Sequence, residues 1–274
     1  MGDHGAPAGA AALTRRRLDT ELVRRGLVAS RTEAQRAIEA GLVRVGTAAA
    51  PKASTLVAPQ DSLHIVGAPQ QFVSRAGTKL DSALNIFGIE VGNLVTVDVG
   101  ASTGGFTDCL LQRGAASVAA VDVGYGQLHW KIRNDERVTV VERTNIRTAD
   151  PAELGAPFDL VVSDLSFISL RVVKQQLNDL GSQDTHWVLL IKPQFEAGRD
   201  KVGKGGVIRD HDIRMDVLRD VLSDFETIGL GCTGLIESPI TGATGNVEYV
   251  AHFERRTSTV TSDTIEETLA GDRT

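Results

Sequence analysis

Four charged residues are spaced so that an alternating α/β chain would bring them to one rim: Lys79 in SRAGTKL, Asp164 in VVSDLSF, Lys192 in LLIKPQF and Glu248 in GNVEYV. The last three adjoin apolar runs of strand type. A polar group at the end of an apolar strand stands at the sheet edge, where ligands of α/β folds bind. It loses water there, so its neighbours tune its pKa. Lys79 precedes the first of these strands, on a stretch from which a helix could deliver it to the same rim. Two amines beside two carboxylates suit removal of a proton from a weakly acidic hydroxyl. On this reading Lys192 is the base, its pKa lowered by desolvation and by the Lys79 charge, while Asp164 and Glu248 orient the ammonium groups and hold the hydroxyl. Taken singly, each residue is as well read as an exposed charge or a structural ion pair.

Such a rim needs a cofactor or substrate pocket, and the sequence offers one. The apolar run at 94–99 leads into VGASTGGFTDCLLQRGA, a glycine-rich turn between a strand and a helix that begins near Gly105 or Phe106. Gly100 and Gly104 let the backbone approach a ligand with no Cβ in the way, which marks a nucleotide site. Asp122 ends the next strand, about 20 residues beyond the turn, where a carboxylate can accept from ribose hydroxyls. The spacing Gly100-x-x-x-Gly104-Gly105 is neither G-x-G-x-x-G nor a phosphate-gripping P-loop, which argues against a dehydrogenase or an NTPase. Asn145, in ERTN, is either a contact on the adenine side or an ordinary Asx turn.

The motif D-x-G-x-x-x-G-G-F resembles the S-adenosylmethionine motif of methyltransferases. That resemblance implies that Asp98 and the loop residues Gly100, Ala101, Ser102, Thr103, Gly104, Gly105 and Phe106 serve the methionine end of S-adenosyl-L-methionine, with Asp164 at the border of the cofactor and the reacting groups. A ribose hydroxyl attacking a sulfonium methyl is then the chemistry the lysine–carboxylate set would serve.

The elements that must position these residues follow from periodicity. Strand candidates are 94–99, 117–123, 138–143, 159–165, 187–193, 235–239 and 246–253, separated by helical patterns. The longest helix, 210–229, carries Ile213, Val217, Leu218, Val221, Leu222 and Phe225 on one face. This alternation predicts an α/β domain with a mostly parallel seven-stranded sheet covered on both faces. Trp130, in QLHW, is assigned to the core rather than to base stacking, and residues 255–274 read as a polar tail.

Upstream the organisation differs. Residues 1–14 are rich in Gly and Ala without periodicity and read as a disordered tail. From residue 15, Leu18, Leu22 and Val23 share a helical face that Gly26 ends. Ser30 and Glu33 form a capping box for a second helix, lined by Ala34, Ala37 and Ile38 and ended by Gly41. Short strands at 42–46 and 62–66 complete a small α+β unit over 15–66, and 67–73 is the linker to a domain over 74–254. The pattern RLDTELVRRGLVASRTEAQRAIEAGLVRVG resembles the S4 RNA-binding domain. The resemblance implies that Arg16, Arg24, Arg25, Arg31, Arg36 and Arg44 face folded RNA, as guanidinium forks can grip two phosphate oxygens at once. In the 192–210 segment, Arg199, Lys201 and Lys204 lie among glycines, as a loop that clamps RNA or as a merely solvated connection.

Seven ordered blocks extend the resemblance along the chain: KL (79–80), DVGASTGGFTD (98–108), DVGYGQL (122–128), DLSFISL (164–170), KPQFE (192–196), GGVIRD (205–210) and GNVEY (245–249). Together they are similar to the TlyA family of 16S/23S rRNA cytidine-2′-O-methyltransferases, once described as haemolysins, in which an S4 domain precedes an FtsJ/RrmJ-like, Rossmann-like class I methyltransferase domain. The resemblance implies that Lys79, Asp164, Lys192 and Glu248 are a catalytic Lys-Asp-Lys-Glu tetrad. It also implies that the partners are 50S and 30S ribosomal subunits or their RNA. Some members carry Arg-x-Trp-Val where this chain has Gln70-Gln71-Phe72-Val73, so the resemblance leaves a coupling role of the linker open.

Composition is consistent with that reading and excludes others. The net charge is −6 over 274 residues, yet residues 15–52 hold nine Lys or Arg against four Asp or Glu, a local excess that can seek phosphate. No apolar run approaches membrane length and no secretory leader is visible, so the expected location is the cytoplasm and no membrane partner is expected. Cys109 and Cys232 lack metal-ligand spacing, so no metal is expected. A membrane-lytic protein would need an apolar span or cationic amphipathic helix. A non-catalytic S4-type RNA-binding or ribosome-assembly factor would have lost Asp98, Asp122 or Lys192, and all are present.

Overall fold

The computed structural model describes residues 15–28, 30–50, 52–66, 71–203 and 205–270. The expected tail at 1–14, the linker residues 67–70 and Lys204 lie outside the described residues. The chain divides at residues 69/70 into two compact units.

The small unit runs β1 (Arg16–Arg17), α1 (Leu18–Arg24), α2 (Arg31–Glu39), β2 (Val43–Val45), β3 (Ala48–Ala49), β4 (Leu56–Val57) and β5 (Leu63–Ile65). Ser30 caps α2 as its motif predicts, its hydroxyl accepting from the Glu33 amide. Leu18, Leu22, Ala34, Ile38 and Val43 close a core of the unit's own. Strands β1, β3 and β4 have two residues each, too short to leave an alternation in the sequence.

The large unit contains α3 (Ala76–Phe87), β6 (Val95–Val99), α4 (Gly105–Gln112), β7 (Ser117–Val121), α5 (Trp130–Arg133), β8 (Val138–Val141), α6 (Pro151–Leu154), β9 (Phe158–Ser163), α7 (Lys174–Asp179), β10 (Gly181–Ile191), α8 (Pro193–Glu196), α9 (His211–Glu226), β11 (Gly231–Glu237), β12 (Tyr249–Glu254) and α10 (Ser262–Ala270). Its seven strands lie in the order β11-β12-β10-β9-β6-β7-β8. Only β12 runs antiparallel to its neighbours. The chain builds outward from β6 through β7 to β8, then crosses back to β9 on the other side. The reversal leaves a crevice at the carboxyl ends of β6 and β9. Both sheet faces are covered: Leu80, Leu84, Phe106 and Leu110 pack on one, and Leu177, Leu218, Val221 and Phe225 on the other.

Four expectations need correction. Residues 255–274 are not simply a polar tail, because α10 buries Ile265 and Leu269 beside α9 and β11; two apolar residues in a charged segment are a weak periodic signal. Trp130 is not core but 60% exposed. The short α5 buries Ile132 instead, and positions two apart point to different sides of a helix. Residues 71–73, expected in the linker, are anchored in the large unit: Phe72 is buried, and the Val73 amide donates to Asp108 at 2.8 Å. At the start of α9, Arg214 is buried while Ile213 is only half-buried. No helix among the described residues is long and apolar enough to cross a membrane.

Candidate active site

The floor of the crevice is the turn after β6. Gly100 and Gly104 both hold φ 91°, a left-handed conformation that glycine adopts without steric cost. A Cβ on Gly100 would stand 3.0 Å from the Asp164 carbonyl oxygen, so the turn and the end of β9 meet as closely as backbones can. Asp98, at the end of β6, is fully buried. Its Oδ2 accepts from the Thr107 amide at 2.9 Å and the Thr107 hydroxyl at 2.7 Å, which ties the strand to the first turn of α4. Among the described residues its Oδ1 has no hydrogen-bond partner. Burial pushes this carboxyl up to about 7; Thr107 opposes the rise, and the charges of Asp164 and Asp122 add to it.

A cavity of about 650 Å³ opens above the turn. Lys79, Asp98, Asp164, Lys192 and Glu248 all line it, as do Gly100, Ala101, Ser102, Thr103, Gly105 and Phe106. Gly104 instead precedes α4, where a Cβ would press on Leu128 at 2.9 Å. The four charged residues resolve into two ion pairs. Lys79 Nζ donates to Glu248 Oε2 at 2.5 Å, joining α3 to the approach to β12. Lys192 Nζ lies 2.5 Å from Asp164 Oδ1, an ionic contact, and donates a directed hydrogen bond to Ser166 Oγ at 2.9 Å. Each lysine therefore has its own carboxylate, rather than the two ammonium groups acting on one another directly.

Some members of the site have no signal in the sequence by themselves. Ser166 follows Asp164 by two residues and looks like a loop serine until Lys192 folds onto it. Gln194 reaches Glu248 Oε1 at 3.5 Å. Asn246 is buried; its side-chain amide donates to the Gly206 carbonyl at 2.7 Å, and its Oδ1 accepts from the Ile208 amide at 2.9 Å, so the glycine-rich segment is held beside the cavity. Phe167 stands at the cavity 91% exposed and with φ 65°, its ring 5.2 Å from that of Phe195. A large aromatic held exposed in a left-handed conformation is a strained arrangement of the kind that clusters at functional sites.

The remaining candidates divide by their contacts. Asp122 does not line the cavity; it accepts from the Ser102 amide at 2.8 Å and the Gly124 amide at 2.6 Å, bracing the glycine turn. The exposed Asn145 forms an Asx turn, its Oδ1 accepting from the Arg147 amide at 3.1 Å. Lys201 is exposed, 3.9 Å from Asp216, and Arg199 opens the short 3-10 turn that Lys201 ends. In the small unit Arg36 is exposed, as are Arg16 and Arg24, which face Glu21, and Arg31, which pairs with Asp19 at 2.9 Å. Arg25 is committed to the fold, donating to Glu21 and to the Asp61 carbonyl at 2.7 Å. Arg44 donates to the Gly41 carbonyl. Both cysteines are buried, which pushes their thiols up to about 12 and makes them poor nucleophiles.

Comparison with known families gives the arrangement a place. Residues 72–255 match the FtsJ-like methyltransferase model, and residues 16–63 match the S4 domain model. The chain belongs to the FtsJ-like methyltransferase family. It is 47% identical over 244 residues to the 16S/23S rRNA (cytidine-2′-O)-methyltransferase TlyA of Mycobacterium tuberculosis, covering 89% of this chain and 91% of that one. It is 46% identical over 239 residues to YqxC of Bacillus subtilis, covering 86% and 85%. A solved structure from Streptococcus thermophilus, named as a hemolysin, shares 37% identity at a TM-score of 0.75 over 95% of this chain and 96% of that one. The FtsJ-like match begins at Phe72, the first side chain that packs into the large unit's core.

The residues present fit the methyl donor that a methyltransferase family implies. A buried carboxylate oxygen without a partner, in a cavity of small-molecule size, is suited to a cationic ammonium group. The glycine turn leaves backbone accessible beside it.

Proposed function

We propose that this chain is an S-adenosyl-L-methionine-dependent rRNA methyltransferase that modifies the ribose 2′-hydroxyl of cytidine in the RNA of 50S and 30S ribosomal subunits, in the cytoplasm. The observation that carries the reading is Lys192: its Nζ is held by Asp164 and Ser166 inside the same cavity as the unpaired oxygen of Asp98. The bound donor supplies a methyl group on a positively charged sulfur. Asp98 and the turn from Gly100 to Phe106 hold its methionine end, and Asp122 keeps that turn in shape. Lys192 Nζ, once it has released one proton to solvent and is a neutral amine, takes the proton from the attacking 2′-hydroxyl, and the ammonium so restored rests against Asp164. Lys79, fastened by Glu248, presents a second cation to the ribose and its phosphates. The exposed ring of Phe167 and the half-buried ring of Phe195 offer flat apolar faces to a base. In the S4 domain Arg16, Arg24, Arg31 and Arg36 supply phosphate contacts.

The test is incubation of purified 30S and 50S particles with methyl-labelled cofactor, followed by mapping of ribose methylation. Label on cytidine 2′-oxygens in both particles is expected. Label on 50S alone removes the small-subunit substrate, and base methylation or no label on either overturns the activity.

A further inference from the structure

Away from the crevice, three side chains with metal-ligand chemistry converge that the proposed reaction does not use. His186 lies on β10, and His252 and Glu254 lie on β12. The antiparallel register pairs Val188 with His252 and Trp187 with Phe253, so by continuation His186 stands opposite Glu254. Alternation along β12 puts His252 on that same face. His186 Nδ1 is 2.9 Å from His252 Nε2 and 3.7 Å from Glu254 Oε1. One ligand atom from each residue lies within 4.8 Å of the others.

The surroundings hold these groups in place. The ladder between β11 and β12 is irregular between Cys232 and Gly234, and Thr233, at the irregularity, sets its hydroxyl 3.0 Å from His252 Nδ1. With the ring proton on Nδ1, donated to Thr233, the Nε2 lone pair faces His186 and Glu254. Arg256 grips Glu254 Oε2 and leaves Oε1 toward the histidines. The Phe87 ring stacks on His252 at 5.4 Å. A cavity of about 460 Å³ opens on the cluster, and Glu90, Asp159 and Asp184 line it as well, offsetting the charge of Arg256 toward a cation.

We propose that His186 Nδ1, His252 Nε2 and Glu254 Oε1 bind one divalent transition-metal ion of zinc type, with water from the cavity as the fourth ligand. Two imidazoles and one carboxylate form a donor set suited to zinc, whereas magnesium and calcium prefer oxygen ligands. At zinc–nitrogen distances of about 2.0–2.1 Å, tetrahedral ligand atoms stand about 3.3 Å apart, so the histidine pair opens and the His186–Glu254 pair closes by roughly 0.4 Å each, with all three atoms already within 4.8 Å of one another. His186 then carries its ring proton on Nε2. Thr233 and Arg256 act as the outer shell that orients the ligands. His186 sits midway along β10, five residues short of the Ile191 end that leads to Lys192, so the ion would fasten β10 to β12 without meeting the reacting groups.

The test uses the full chain stripped of metal by chelator, titrated with zinc chloride by calorimetry and with cobalt chloride by visible absorption. One ion per chain, a tetrahedral cobalt spectrum and a zinc-dependent rise in Tm are expected. His186→Ala, chosen because His186 is half-exposed and its loss spares the fold, weakens binding at least about tenfold and abolishes the Tm rise; Thr233→Ala weakens it by about tenfold. His211→Ala, on α9, leaves binding unchanged. Absence of zinc binding overturns the site and leaves the histidines as a plain hydrogen-bonded pair. Stoichiometric binding that His186→Ala does not weaken overturns it as well, by placing the ion elsewhere.

Discussion

In the small unit, Asp19 and Glu21 are buried beside arginines; in the crevice, Asp98 is buried beside a threonine and two other carboxylates. The hydrogen bond from Arg17 holds Asp19 far below the usual carboxylate range, with Arg31 and Gln35 adding to it against the cost of burial. Arg24 and then Arg25 do the same for Glu21. Asp98 has no such cation, and burial pushes it up to about 7. Carboxylates equally shielded from solvent therefore shift in opposite directions, because Asp98 lies deep in the fold, whereas Asp19 and Glu21 lie close to the surface under arginines that supply the compensating charge. The small unit completes its own electrostatics with Arg17, Arg24, Arg25 and Arg31 and leaves Arg36 exposed. The crevice leaves Asp98 without a cation among the described residues, as the proposed donor site would require.

The pH dependence follows with opposite signs. Asp19 and Glu21 have folded values below their unfolded ones, so the stability they contribute is present above about pH 4 and is lost as pH falls toward their folded values. Asp98 has a folded value above its unfolded one. Its contribution is present below about pH 4 and is lost as pH rises to about 7.

The largest effect expected is at Lys192. Lys192→Ala lowers single-turnover methyl transfer by about 10³-fold, within the range for loss of a general base, while calorimetry finds donor affinity retained. Unchanged turnover would end the assignment of that lysine and with it the division of the crevice into a binding half and a reacting half. Next comes Asp98→Asn, which weakens donor affinity by about 10²-fold, the loss of hydrogen bonding between charged groups. The same variant raises Tm at pH 8, where the native carboxylate is charged and buried, and has less effect at pH 5; scanning calorimetry at the two pH values reads both. A fall in Tm at pH 8 would show that Asp98 is compensated after all.

On the other side of the comparison, Glu21→Gln lowers the Tm of the small unit at pH 7 by about 4–8 °C, corresponding to about 1 kcal/mol in a unit of that size. The difference shrinks below about pH 4 as the unfolded state takes up the proton that the native carboxylate, held at about 2, does not yet bind. A difference constant from pH 7 to pH 3 would assign the loss to packing instead of charge. The smallest effect separates two arginines. Arg36→Ala leaves Tm unchanged and reduces the salt dependence of RNA binding by about one unit of slope, whereas Arg25→Ala, which removes donors to Glu21 and the Asp61 carbonyl, lowers Tm. An unchanged salt slope in Arg36→Ala would make that side chain a solvated charge.

Much of this architecture was legible locally. Alternation of apolar runs with helical patterns determined an α/β sheet, the Ser30 cap and Gly26 and Gly41 determined two helices, and the spacing of Gly100 and Gly104 after Asp98 determined a glycine turn at the sheet edge. These features depend on backbone preference and on periods of two or 3.6 residues, which neighbouring residues express without help from the rest of the chain. Tertiary structure alone decided that Lys79 meets Glu248 across 169 positions of sequence and that Lys192 meets Asp164 and Ser166. It alone made Asp122 a brace of the turn, exposed Trp130 and buried α10. Such contacts depend on strand order and on which face of an element turns inward, and no local pattern carries that information.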